Sequence, residues 1–250
     1  MRKVVLFKSA SEEYSKAFSE HDYESIFVEP LHFEIVNAQQ LSTQLLRRDY
    51  DGLVLTSPRA VEALAQCWDP TKFAIWSTRR VYTIGEACCK KIKLQLGLDA
   101  LGMTAGNSEN LGKMIIAENS ATSKLLFPSG NLSLETLPTM LQAKGMIVDT
   151  LTVYETKENE HLRADLMELN SSEKNPCCMV FFSPSGCEYI HRQLQTFSNK
   201  LYHLPHFAIG NTTAHKIENL GMEVAGVATR PKADSLVESV ETFFSGKATI

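Results

Sequence analysis

A chain of 250 residues is long enough for one large or two small domains. With 44% hydrophobic and 22% charged residues it reads as globular, and a formal net charge of -4 argues against general nucleic-acid binding. An anionic ligand would therefore have to be held by local groups. The apolar run in Met1-Arg-Lys-Val-Val-Leu-Phe-Lys8 is too short for a signal peptide, and no stretch approaches the length of a membrane span. The six cysteines are Cys67, Cys88, Cys89, Cys177, Cys178 and Cys187. They include no C-x-x-C pair, which speaks against a zinc site and a disulfide framework and for reduced thiols in the cytosol. The seven histidines are scattered, so no metal is expected.

In chain order, Val4–Phe7 reads as a strand, Glu12–Glu20 as a helix and Ser25–Val28 as a second strand. Pro30–Ile35 alternates and is extended; Ala38–Arg48 is helical. Leu53-Val-Leu55 is a buried strand that stops at Thr56-Ser57-Pro58. Ser57 suits an N-cap and Pro58 the first helical position. Such a corner offers free N–H groups and a partial positive charge to an anion, and it equally suits an ordinary capped helix. Val81–Ile84 is a strand ending in Gly85, with a helix after it, and Asn107-Ser108 caps another helix over Glu109–Glu118. Leu125–Phe127 is a strand ended by Pro128-Ser-Gly130; Leu134–Lys144 is helical, and Ile147–Glu155 is extended.

The second half repeats this pattern. Met179-Val-Phe-Phe-Ser-Pro-Ser-Gly186 matches Leu53-Val-Leu-Thr-Ser-Pro-Arg-Ala60, and Phe207-Ala-Ile-Gly210 matches Tyr82-Thr-Ile-Gly85. The serine-to-glycine spacing is 28 residues in the first copy and 27 in the second. Val5–Leu31 likewise echoes Leu126–Leu151. A duplication in this phase predicts an inserted domain, 36–153, within a discontinuous one, 1–32 plus 158–250, with linker strands at 32–36 and 152–157. Strands alternating with helices predict parallel sheets, whose ligands lie outside the carboxyl ends of the strands, where the Ser, Thr and Gly corners fall. Two domains facing each other would form a cleft.

Nucleotide chemistry is disfavoured. No G-x-G-x-x-G follows a strand, and Gly106–Lys113 has five residues between its glycines and Met114 where a P-loop needs Ser or Thr. No G-x-S-x-G elbow is present. What remains is an expected site rich in neutral donors, for an anionic ligand that reacts largely through its own chemistry.

Gly52–Ala63, Leu126-Phe-Pro-Ser-Gly-Asn-Leu132, Leu151-Thr-Val-Tyr-Glu-Thr156, Phe181-Phe-Ser-Pro-Ser-Gly186 and Ala208-Ile-Gly-Asn-Thr-Thr-Ala214 together resemble the uroporphyrinogen-III synthase family, especially its animal members. The resemblance covers nearly the whole chain, in order. It implies an α/β fold of two similar flavodoxin-like parallel-sheet domains joined by a two-stranded linker. It implies a cyclising hydro-lyase that turns linear hydroxymethylbilane into uroporphyrinogen III with inversion of ring D and loss of water. The route passes through an azafulvene and a spirocyclic pyrrolenine, without a cofactor, in competition with a spontaneous closure to the symmetric isomer I.

The resemblance also implies roles. Tyr154 matches the tyrosine implicated in loss of the terminal hydroxyl, although on residues alone it could be a half-buried strand tyrosine. Thr212 and Thr213 match a binding pair that could also cap a helix. Thr56, Ser57, Ser129, Ser183 and Ser185 would bind carboxylates, joined by Arg59 if it is more than a surface residue. His206 stands where the family commonly has a basic residue. Cys88 stands where it often has a threonine, which puts binding there in doubt. The expected partner is the small-molecule substrate, with transient contacts to the preceding or following pathway enzymes, and no nucleic acid or membrane; the expected setting is the cytoplasm. The residues alone leave a second class open, a non-catalytic two-domain receptor for a small acidic ligand.

Overall fold

The computed structural model describes residues 1–172, 175–197 and 200–247. The chain divides into two compact units, Met1–His32 with Lys157–Ile250, and Phe33–Thr156. β1 (Arg2–Phe7), α1 (Glu12–Ser19) and β2 (Tyr23–Phe27) open the first unit, and β3 (Leu31–Ile35) straddles the boundary. The second unit contains α2 (Ala38–Leu45), β4 (Gly52–Leu55), α3 (Pro58–Cys67), β5 (Arg80–Thr83), α4 (Glu86–Leu96), α5 (Ser108–Glu118), β6 (Lys124–Gly130) and α6 (Thr136–Gln142), and β7 (Ile147–Glu158) leaves it. The first unit resumes with α7 (Leu162–Ser171), β8 (Cys178–Phe181), α8 (Pro184–Leu194), β9 (His206–Ala208), α9 (Asn211–Asn219), β10 (Val224–Val227) and α10 (Ala233–Lys247).

The first sheet has the order β10-β9-β8-β1-β2, with every ladder parallel. Counted from β1 this is the flavodoxin-like order. The second sheet, β3-β7-β6-β4-β5, has the same run, with β3 added at the β7 edge and a single parallel bridge, Tyr82 to Leu101, in the place that β10 takes in the first. The central strands are buried on both faces because helices cover both, and their side chains divide with a period of two. Val5 and Phe7 enter one core cluster and Val4 and Leu6 the other; Leu53 and Leu55 oppose Val54 in the same way.

Several element boundaries depart by a few residues from the sequence reading, and the departure at β6 has a structural reason. Pro128-Ser-Gly130 does not end β6, which continues through Gly130. Its ladder with β4 covers only Leu125 and Leu126, so beyond them β6 is paired on one side alone, and a residue without an N–H is tolerated as on an edge. Among the described residues no helix is long and apolar enough to cross a membrane.

Candidate active site

In each flavodoxin-like sheet the strand order reverses between the first and third strands, and in such folds ligands bind outside the carboxyl ends at that reversal. In the second unit those strands are β6 and β4. β4 ends at Leu55, and Ser57, in extended conformation, caps α3 ahead of Pro58. Its Oγ accepts the Arg59 N–H at 3.2 Å and the Tyr154 hydroxyl at 3.0 Å. Tyr154 comes from β7, beside β6, and is half-buried. The structure thus brings together two residues 97 positions apart that the sequence reading named separately. Having accepted twice, Ser57 keeps its own proton to donate.

The other expected residues of this unit fare differently. Thr56 is half-buried beside Ser57, and Ser129 is buried near the end of β6. Arg59 is engaged: its guanidinium carbon stacks 3.1 Å from the Phe33 ring centroid, and its Nη1 lies 4.0 Å from Glu62. Cys88 is buried, and its thiol donates to the Leu55 carbonyl at 3.5 Å, beside the Thr83 hydroxyl, which donates to the same carbonyl at 2.6 Å. Burial pushes that thiol's pKa up. It packs in the core beside β4.

In the first unit the reversal falls between β1 and β8. Ser183 caps α8, its Oγ accepting the Gly186 N–H at 3.1 Å, and Ser185 lies half-buried in the first turn. The next corner is different in kind. Gly210 occupies the N-cap of α9 without a side-chain cap bond, as Gly85 does for α4. A capping role for Thr213 is therefore corrected: it lies inside the first turn and is buried, while Thr212 beside it is exposed. Hydroxyls cap one helix of each pair, and bare N–H groups mark the start of the other.

Lys8, which the sequence reading passed over, follows β1 at this reversal. Its Nζ sits 3.8 Å from the Tyr14 ring centroid and 5.1 Å from that of Phe182, next to Ser183. Partial burial lowers its pKa from the ordinary lysine value, against an opposing pull from Glu13. Its place immediately after an apolar strand was the available signal.

His206, expected as a substrate contact, lies away from the strand-end corners. It opens β9, at the end opposite the Ile209-Gly210 corner, and only 3% of it is exposed. Its Nδ1 lies 3.1 Å from the Glu223 carbonyl, and its ring packs edge-on against Phe181. Burial lowers its pKa, and burial does the same to His191, whose charge opposes that of His206. Unfolded, both imidazoles protonate near their ordinary value of about 6.5, so below that pH the unfolded state binds more protons. Stability should be whole above pH 6.5 and decline as pH falls toward the folded pKa values. Melting temperatures from pH 7.5 to 5.5 should show this decline, and a shallower one in His206→Asn; equal slopes would clear His206 of it.

Among the described residues no group of three or more His, Cys, Asp or Glu gathers as for a metal ion. The model of a family described as "Uroporphyrinogen-III synthase HemD" matches residues 12–238. The uroporphyrinogen-III synthase of Schizosaccharomyces pombe is 28% identical over 97% of this chain and 98% of its own. That of Saccharomyces cerevisiae is 30% identical over 76% of this chain and 75% of its own. The crystal structure of uroporphyrinogen-III synthetase from Helicobacter pylori covers 97% of this chain and 99% of its own with a TM-score of 0.69 at 18% identity, a likeness of fold. A match over nearly the full length, on the fold and corners described, places the chain in the uroporphyrinogen-III synthase family.

Proposed function

We propose that the chain cyclises linear hydroxymethylbilane to uroporphyrinogen III, inverting ring D and releasing water, as a hydro-lyase of tetrapyrrole biosynthesis. The observation that carries the reading to particular residues is the Tyr154 hydroxyl bonded to Ser57 at the strand-order reversal of the second unit. Turned from Ser57 to the substrate, that hydroxyl protonates the departing terminal hydroxyl. The pyrrole nitrogen gives up its proton as the azafulvene forms, and Tyr154 ends the step reprotonated. Each unit carries strand-end donors suited to substrate carboxylates: in the second unit the Thr56–Ser57 corner and the N-terminus of α4, and in the first the Ser183–Ser185 corner, the N-terminus of α9 with Thr212 and Thr213, and the Lys8 ammonium. Neutral donors and helix N-termini hold anions without burying a charge beside them.

The enzyme must outrun closure to isomer I. A hundredfold preference corresponds to about 2.7 kcal/mol. Two or three hydrogen bonds made only in the productive geometry supply that, which is why orientation suffices without a strong acid–base pair. The six free cysteines support a reducing, cytoplasmic setting. Transient contact with the enzymes that deliver the unstable bilane or take up the product belongs to the same proposal.

The test is incubation with freshly generated hydroxymethylbilane, followed by oxidation and separation of the porphyrin isomers. Isomer III should predominate with no added metal or nucleotide. Isomer I alone, or activity abolished by a chelator, would overturn the reading.

A further inference from the structure

We infer that Gly130 and Asn131 are the positioning residues that aim the Tyr154 hydroxyl, an inference that rests on the role proposed for Tyr154. β6 and β7 pair residue for residue from Lys124 and Ile147 to Ser129 and Thr152. There the register slips by one: Val153 is passed over, and Gly130 lies opposite Tyr154. The slip brings the tyrosine ring onto the glycine backbone. A Cβ at position 130 would lie 2.5 Å from Tyr154 Cζ, 2.6 Å from Cε2 and 2.7 Å from the hydroxyl oxygen. The ring occupies the space that any side chain here would fill.

Asn131 then takes over the pairing. Its backbone N–H donates to the Tyr154 carbonyl at 3.1 Å. Its side-chain amide acts as one more peptide group: Oδ1 accepts the Thr156 N–H at 2.8 Å, and Nδ2 reaches the Thr156 carbonyl at 3.4 Å. Meanwhile the β6 backbone turns away, the Ser133 N–H donating to the Gly130 carbonyl at 3.1 Å. The backbone of Tyr154 is thus pinned at its own carbonyl and again two residues on. The ring rests on a floor without a side chain, and its hydroxyl ends 3.0 Å from Ser57 Oγ. Neither Gly130 nor the Asn131 amide can supply a proton for water loss. Their contribution is geometry, and a misplacement of about 1 Å can cost on the order of 100-fold in rate.

A double-mutant cycle separates positioning from general support of the fold. Gly130→Ala and Asn131→Ala should each lower kcat at least tenfold, with KM within about twofold of wild type. Each combined with Tyr154→Phe should be no slower than Tyr154→Phe alone, because the hydroxyl they aim is already gone. If Gly130→Ala does not fold, Asn131→Ala carries the same comparison. Losses that multiply in the double variants, or single variants with wild-type kcat, would overturn the positioning role while the wild-type enzyme still makes isomer III. A wild-type enzyme that makes only isomer I overturns the function itself, and this role with it.

Discussion

Turnover of Tyr154→Phe should fall about 100-fold, while its melting temperature stays within a few degrees of wild type. A positioned proton donor contributes on the order of 10²–10⁴ in rate, and a leaving group that departs as readily as this one places the effect at the low end. The folding cost is small. The substitution deletes one neutral hydrogen bond, Tyr154 to Ser57, of about 0.5–1.5 kcal/mol. At this chain length 1 kcal/mol moves the melting temperature by about 2–4 °C. Ser57 keeps the Arg59 N–H and continues to cap α3. The residual product should still be mainly isomer III, because the groups that hold the chain of pyrroles are untouched. Single-turnover rates with isomer analysis, beside a thermal melt, check all three expectations. Wild-type turnover would reduce Tyr154 to a packing residue and leave water loss to the substrate alone.

The strand ends were legible in the sequence because their chemistry is local. Ser57-Pro58 and Ser183-Pro184 announce a cap and a first helical residue, and both corners form as read. The apolar runs at 53–55 and 179–181 announce strands buried on both faces, and the repeat announces two sheets of one kind. What was not legible depends on pairing between distant segments. Pro128 looks like a strand breaker until the one-sided ladder of β6 is known. Leu162, Leu166 and Leu169 are a different case: their helical spacing is local and is itself legible, and they bury one face of α7. Thr213 looks like a cap because it follows Gly210 closely, yet Gly210 itself takes that position. His206 precedes a glycine corner by four residues, but a short strand separates them, so it lies at the wrong end of the sheet. The slip that sets Tyr154 over Gly130 leaves no trace in composition or spacing.

Replacing Lys8 by Met should raise KM about 10–100-fold and change kcat little. A hydrogen bond to a charged group contributes about 1.5–3 kcal/mol, and a substrate bearing many carboxylates leaves none to spare at an ammonium seated on Tyr14 and Phe182. Lys8→Arg should keep KM near wild type, since a guanidinium stays charged and stacks on rings. The pH dependence carries a sign that separates binding from unfolding. Partial burial holds the Lys8 pKa below the ordinary lysine value. As pH rises through the folded value the ammonium is lost and KM climbs, earlier than for a free lysine. Between the folded and unfolded values the unfolded chain binds more protons, so this group makes the fold more stable as pH rises. The weakened binding therefore cannot be charged to unfolding through Lys8. KM measured from pH 7 to 10 should climb in wild type and stay flatter in Lys8→Arg. A Lys8→Met enzyme with the wild-type KM would assign the ammonium to packing on Tyr14 and return the substrate's carboxylates to the helix N-termini.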